Sequence, residues 1–172
     1  MSAGEYAFQF VYPAATPTND LRTVLVKQVV EGLESGIEFY KHPVTGSISG
    51  VTTFSRMNLE TQRWETAGTV EWSSNHSAVV TFGIESISMR ELRKPKKSSS
   101  QSRRFKAGGS EYKWKVTEDG LVCSGGSRGG KVVATWSQST LTLRVAERIE
   151  PILDRVVVTC FLNIWMKSRN AW

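Results

Sequence analysis

Cysteine and histidine are scarce in this chain, with two of each in 172 residues. Two cysteines, Cys123 and Cys160, cannot build a disulfide framework. Cys160 lies inside an apolar run, so both are expected as buried free thiols in a reducing compartment. His42 and His76 stand alone, and no Cys/His group has metal-ligand spacing. No Ser-His-Asp arrangement or carboxylate pair is recognisable from spacing. The chain is therefore expected to be non-enzymatic, with no catalytic residue, metal or cofactor. Long hydrophobic runs are also missing. The longest, Val156 to Met166, spans 11 residues, whereas a bilayer-spanning helix needs about 20. The opening Met-Ser-Ala-Gly-Glu-Tyr has no basic n-region or apolar h-region, so no secretory signal is expected. The expected setting is intracellular: cytoplasmic, membrane-peripheral or nuclear. Five prolines and 14 glycines are spread along the chain, which excludes a low-complexity segment.

What is present is ordinary core material and one charge cluster. Apolar residues make up 40% and charged residues 22%, the balance of a folded domain. The length fits a single domain, residues 1–172. The chain carries 22 Lys and Arg against 16 Asp and Glu, a net charge of +6. Eight of those cations crowd one stretch: Arg90, Arg93, Lys94, Lys96, Lys97, Arg103, Arg104 and Lys106, with one acid, Glu91. The rest of the chain is close to neutral. Nucleic-acid binders more often spread positive charge over a surface, so nucleic acid is not the expected partner.

Strand patterns fill most of the chain. Tyr6 to Tyr12 alternates aromatic and small residues. Thr23 to Val30 is β-branched, although Leu21, Leu25, Val29 and Leu33 also fit a short helix. Gly36 to Lys41 and Ser47 to Phe54 alternate around a turn at His42-Pro43. Ala67-Gly68 reads as a further turn. Thr69 to Trp72 and Ala78 to Phe82 flank a polar hairpin loop. Glu85 to Leu92 alternates as strand. Residues 93–104 contain no large apolar side chain and read as a flexible basic loop. Glu111 to Val116, Leu121 to Cys123, Lys131 to Trp136 and Ser139 to Ala146 continue the series, for about 10–12 strands.

The last stretch differs. From Val156 to Met166 only Thr159 and Asn163 are polar. The β-branched Val156-Val-Val-Thr159 favours a strand. An unbroken apolar block of that length, Asp154 as an N-cap and cations Lys167 and Arg169 at the end favour a helix, placed at about 153–168. A helix that is apolar all round must be enclosed. The expected fold is mainly β: a closed antiparallel β-barrel of about 10–12 strands around a hydrophobic C-terminal helix.

Three motifs, Phe105-x5-Glu111-Tyr-Lys-Trp-Lys115, Val133-Ala-Thr-Trp136 and Ile152-Leu-Asp-Arg-Val-Val-Val-Thr159, resemble a family of uncharacterised domains common in basidiomycete fungi. The resemblance runs from about Val24 to Met166. That family is similar to the tubby C-terminal-like superfamily, which includes tubby, phospholipid scramblases and LURP-one proteins. The resemblance implies a closed barrel around a C-terminal helix and implies no established activity. Tubby proteins bind phosphoinositides through basic side chains whose positions do not align here. The polycysteine motif of scramblases is absent.

The basic stretch from Arg90 to Lys106 is the candidate binding site. Near a membrane each such cation gains about 1 kcal/mol from anionic lipid. Ser98, Ser99, Ser100 and Ser102 lie among the cations, where phosphorylation would cancel charge. The expected function is a binding module for anionic phospholipid or another polyanion. A protein-interaction or regulatory factor with a nuclear-import-like segment is the alternative, and an enzyme with a pocket at the barrel mouth is a third reading. A solvated insertion without a partner is the plain account of the same residues. Gly125-Gly-Ser-Arg-Gly-Gly130-Lys131 nearly spells a phosphate-binding loop, but Val132 stands where Ser or Thr is required and a strand pattern follows instead of a helix. Tyr112 and Trp114 alternate with Lys113 and Lys115, which places aromatics in the core and lysines in solvent. Sequence leaves the oligomeric state open.

Overall fold

Side chains that alternate along an extended backbone fall on opposite faces of a sheet, and this rule orders most of the molecule. The computed structural model describes residues 4–12, 25–29, 37–41, 51–58, 60–74, 77–93, 102–125 and 130–168. Among the described residues twelve strands are formed: β1 (Glu5–Val11), β2 (Leu25–Gln28), β3 (Ile37–Lys41), β4 (Val51–Asn58), β5 (Arg63–Ser74), β6 (Ser77–Phe82), β7 (Glu85–Ser88), β8 (Ser102–Ala107), β9 (Ser110–Val116), β10 (Gly120–Gly125), β11 (Val132–Ser137) and β12 (Thr142–Ala146). A short helix α1 (Met89–Arg93) separates β7 from β8. A 3-10 segment, Glu147–Ile152, leads into the C-terminal helix α2 (Leu153–Ser168).

The strands form one antiparallel sheet in the order β7-β6-β5-β4-β3-β2-β1-β12-β11-β10-β9-β8. Neighbours in sequence are neighbours in the sheet apart from β7 and β8, and the β1–β12 pair joins the two halves. The sheet wraps α2. Phe54 of β4 meets Phe161 edge-on at 5.0 Å, and Trp72 of β5 meets Trp165 at 5.3 Å. From the other half, Trp114 of β9 donates its indole N–H to Thr159 Oγ1 at 2.9 Å. Every residue from Val156 to Met166 is buried. The apolar ones belong to one core cluster with Phe8, Phe10, Leu121, Trp136, Leu143 and Val145 of the sheet.

Burial explains why three consecutive valines sit in a helix. Intrinsic propensity is worth tenths of a kcal/mol per residue, while burying each large apolar side chain contributes about 1.5–3 kcal/mol. Both polar side chains within the apolar block donate to the helix's own carbonyls. Thr159 Oγ1 donates to the Arg155 carbonyl at 2.6 Å, and Asn163 Nδ2 to the Thr159 carbonyl at 2.9 Å.

Several expectations need correction. The barrel is not closed. Among the described residues β7 and β8 are the two edges of an open sheet. The cause is local: the strand expected over Glu85–Leu92 stops at Ser88, where Ser88-Met-Arg-Glu91 forms the sequence of a helix capping box. Ser88 Oγ accepts from the Glu91 backbone N–H at 3.2 Å and starts α1. Met89 and Leu92 are buried by that helix, which packs in the gap between the edges. Ala67-Gly68 is no turn, because β5 runs through it and the partner β4 shifts register between Phe54 and Ser55. A Cβ on Gly68 would lie 3.2 Å from the Phe82 ring, so the absence of a side chain there serves packing. Asp154 is not an N-cap. The 3-10 segment feeds α2 directly, with Pro151 inside it, and the Asp154 carboxylate lies in the first turn, where it pairs with Arg56 at 3.4 Å. The residues expected as loops at 14–20 and 42–46, the alternative helix positions Leu21 and Leu33, and Arg169 lie outside the described residues.

Candidate functional site

Among the described residues the unpaired edges β7 and β8 leave an open seam. α1 fills part of it, and beside α1 lies a cavity of about 650 Å³. Its apolar wall is Phe82 of β6, Ile87 of β7, Leu92 of α1 and Phe105 of β8. Its charged wall is Arg104, Lys106 and Arg155 with Glu85, Glu91 and Glu111. Phe105 stacks on Tyr112 at 5.5 Å, which fixes the floor on the β8 side.

The charges are organised in pairs. Arg155 on α2 donates to Glu85 Oε2 on β7 and lies 4.8 Å over the Phe82 ring, so one guanidinium ties the helix to the edge strand. Arg104 Nη1 donates to Glu111 Oε1 at 2.6 Å across β8 and β9. Arg104 Nε is buried without an acceptor among the described residues. Lys106 and Glu91 are exposed and form no ion pair among the described residues. Beneath the cavity a void of about 10 Å³ is bordered by Arg103, Trp114, Leu162, Asn163 and Met166.

The expected basic site is therefore divided. Arg90 is exposed on α1, which ends at Arg93. Lys94, Lys96 and Lys97 lie outside the described residues, as do Ser98, Ser99 and Ser100. The expected loop at 93–104 gives way to strand at Ser102, a buried residue. The strand's period of two then splits its cations. Arg103 shares the inner face with Phe105 and Ala107; it is half-buried, and burial lowers its pKa. Its Nη1 donates to the Ser102 carbonyl at 3.1 Å. Arg104 and Lys106 alternate with them along the edge strand, and both line the cavity together with Phe105. Arg103, Arg104 and Lys106 thus do not form one solvated cluster.

Glu85, Glu111, Arg155 and the apolar wall were not expected as site residues, although Phe105, Glu111 and Arg155 stand in the motifs that carry the family resemblance. The capping box at Ser88 was the readable signal, because a helix there forces the sheet edge to stop. The remaining motifs are ordinary structure. Val132 begins β11, so the glycine-rich stretch lacks the helix a phosphate loop needs. Residues 126–129 of it lie outside the described residues, as do His42 and His76. Tyr112 and Trp114 are buried and Lys115 is exposed. Burial pushes the thiols of Cys123 and Cys160 well above their ordinary pKa. Among the described residues, no group of three or more His, Cys, Asp or Glu side chains could hold a metal ion, and no helix is long and apolar enough to cross a membrane.

The fold and site together define a mainly β protein with a wrapped C-terminal helix and an amphipathic cavity at the sheet's open edge. The chain belongs to a family of unknown function, DUF6593, whose model matches residues 30–170. No curated protein and no solved structure matches the chain.

Proposed function

We propose that this protein is a non-enzymatic binding module for an amphipathic anion, of the chemical class of the anionic phospholipids, held at the seam between β7 and β8. The observation that carries the reading is the cavity itself. At about 650 Å³ it falls in the usual range for small-molecule sites, roughly 300–1,000 Å³. Phe82, Ile87, Leu92 and Phe105 offer an apolar wall for a chain, and Lys106 offers a cationic donor for an anionic head. The segment carrying Lys94, Lys96 and Lys97 leaves from α1 and returns at β8, both of which border the cavity. Its charge raises the local concentration of anions around the site.

A binding role fits the charge arrangement better than a catalytic one. Two of the three carboxylates in the wall, Glu85 and Glu111, are already engaged in ion pairs with arginines. The wrapped helix also supports placing the fold beside the tubby C-terminal-like superfamily, with an opened rather than closed barrel.

The test is flotation with phosphatidylcholine vesicles, with and without an added anionic phospholipid. Wild type should float only with the anionic vesicles. Replacing Lys94, Lys96 and Lys97 by Gln should weaken that binding on the order of a hundredfold at low salt, at about 1 kcal/mol per cation. Equal binding by the neutralised variant, or equal binding to both vesicle types, would sink the proposal.

A further inference from the structure

The turn between β6 and β7 carries an apolar side chain that the fold does not use. Phe82 pairs with Glu85, so the loop has two residues, Gly83 and Ile84. Gly83 holds φ +60° and supplies the left-handed residue such a turn requires. The second place is commonly taken by Asn, Asp or Ser. Here it is Ile84, which is fully exposed. Isolated apolar residues are ordinary on protein surfaces, and the exposed Val11, Val79, Val116 and Val132 lie along strands. Ile84 differs in place. Phe82 before it and Glu85, Ser86 and Ile87 after it all line the cavity, so the turn is one lip of its mouth. A Cβ added at Gly83 would meet nothing within 4 Å, so the tip projects into open space. The carboxylate beside it, Glu85, is paired with Arg155, which lowers the local repulsion from an anionic surface.

We propose that the β6–β7 turn is a membrane-touching lip that seats Ile84 among the lipids of an anionic bilayer, at the mouth of the cavity. The inference rests on the lipid-binding reading and adds the route. A chain passing from bilayer to cavity beside Ile84 moves between Phe82 and Ile87 without crossing open water. The apolar tip fixes which edge of the sheet faces the bilayer. Full burial of one Ile side chain is worth about a tenfold change in affinity or more.

The experiment uses the full chain. Ile84→Ser leaves the fold intact because the side chain is fully exposed, and it should weaken binding to anionic vesicles about tenfold. It should leave binding of a monomeric short-chain anionic lipid unchanged. Ile84→Cys provides a label site, since Cys123 and Cys160 are buried, and an environment-sensitive probe there should shift to the blue on those vesicles. Vesicle binding with no blue shift, or undiminished binding by Ile84→Ser, overturns the lip and leaves the cavity reading standing. Uptake of the short-chain lipid without any vesicle binding does the same. Binding to neither overturns both.

Discussion

The hydrogen bond from Trp114 to Thr159 joins the far half of the sheet to the wrapped helix, and Thr159→Val isolates its worth. Valine has nearly the shape of threonine and the same β-branched backbone preference, so packing is preserved. Two bonds are lost. Thr159 Oγ1 donates to the Arg155 carbonyl, a group on the helix ladder whose backbone bond survives. The costlier loss falls on the Trp114 indole N–H, fully buried and bonded to that hydroxyl at 2.9 Å. A buried donor stripped of its acceptor costs about 1–3 kcal/mol. The neighbouring void of about 10 Å³ is at the lower limit for one water molecule, so solvent does not readily replace the hydroxyl. For a chain of this length each kcal/mol moves Tm by about 2–4 °C, and the expected loss is about 2–12 °C. The assay is thermal and urea unfolding of the wild type, Thr159→Val, Trp114→Phe and the double variant. In the double variant the indole N–H is gone, so Trp114→Phe should cost at least about 1 kcal/mol less when Thr159→Val is already present than in the wild type, by the orphaned-donor penalty. A Thr159→Val protein that melts with the wild type, or a cycle with no coupling, would refute the claim that this bond fastens sheet to helix.

Three further outcomes follow from single sites. Gly120→Ala should be destabilised by about 1–3 kcal/mol in urea unfolding, because the added Cβ would collide with the Trp136 carbonyl oxygen on the neighbouring strand; unchanged stability would show that β10 and β11 can separate freely there. Asp119 accepts from the Ser137 and Ser139 hydroxyls and the Ser139 N–H, and these bonds hold its pKa below the usual value of 3.8. The depressed pKa contributes stability above pH 3.8 that fades as pH falls through the folded value. Asp119→Asn should therefore melt below the wild type at pH 7, with the gap narrowing in acid; a gap that widens in acid would contradict the assignment. The thiols of Cys123 and Cys160 are buried, so a thiol reagent should label neither in the native protein and both in denaturant, and rapid native labelling would show that the sheet opens.

The β-rich architecture and the enclosed helix were legible because burial writes itself into hydropathy. Val156 to Met166 could not face water under any fold, and alternation at Phe8 and Phe10 or Leu143 and Val145 marks an inner face directly. Closure of the barrel was not legible. It depends on whether two edge strands pair across the molecule, which is a long-range property. The edge here is ended by a local event, the Ser88 capping box, and that motif was hidden because Glu85 to Leu92 also alternates. A four-residue strand and a five-residue helix are both too short for periodicity to separate.

The same contrast explains the charge cluster. Proximity in sequence made eight cations look like one surface, but a strand distributes successive side chains to opposite faces. Arg103 went inward, and Arg104 was neutralised by Glu111 across the ladder. Within the cavity wall the paired charges cancel, so Coulomb attraction by itself selects little there. On the proposed lipid-binding role, selectivity for an anion would come from Lys106 and from the cations Lys94, Lys96 and Lys97, and the apolar wall would set the need for a chain. A multiply charged headgroup without a chain has only the cationic groups to bind. Inositol phosphates should consequently compete poorly with an intact anionic lipid, and equal competition measured by displacement from vesicles would mean that the cavity contributes nothing.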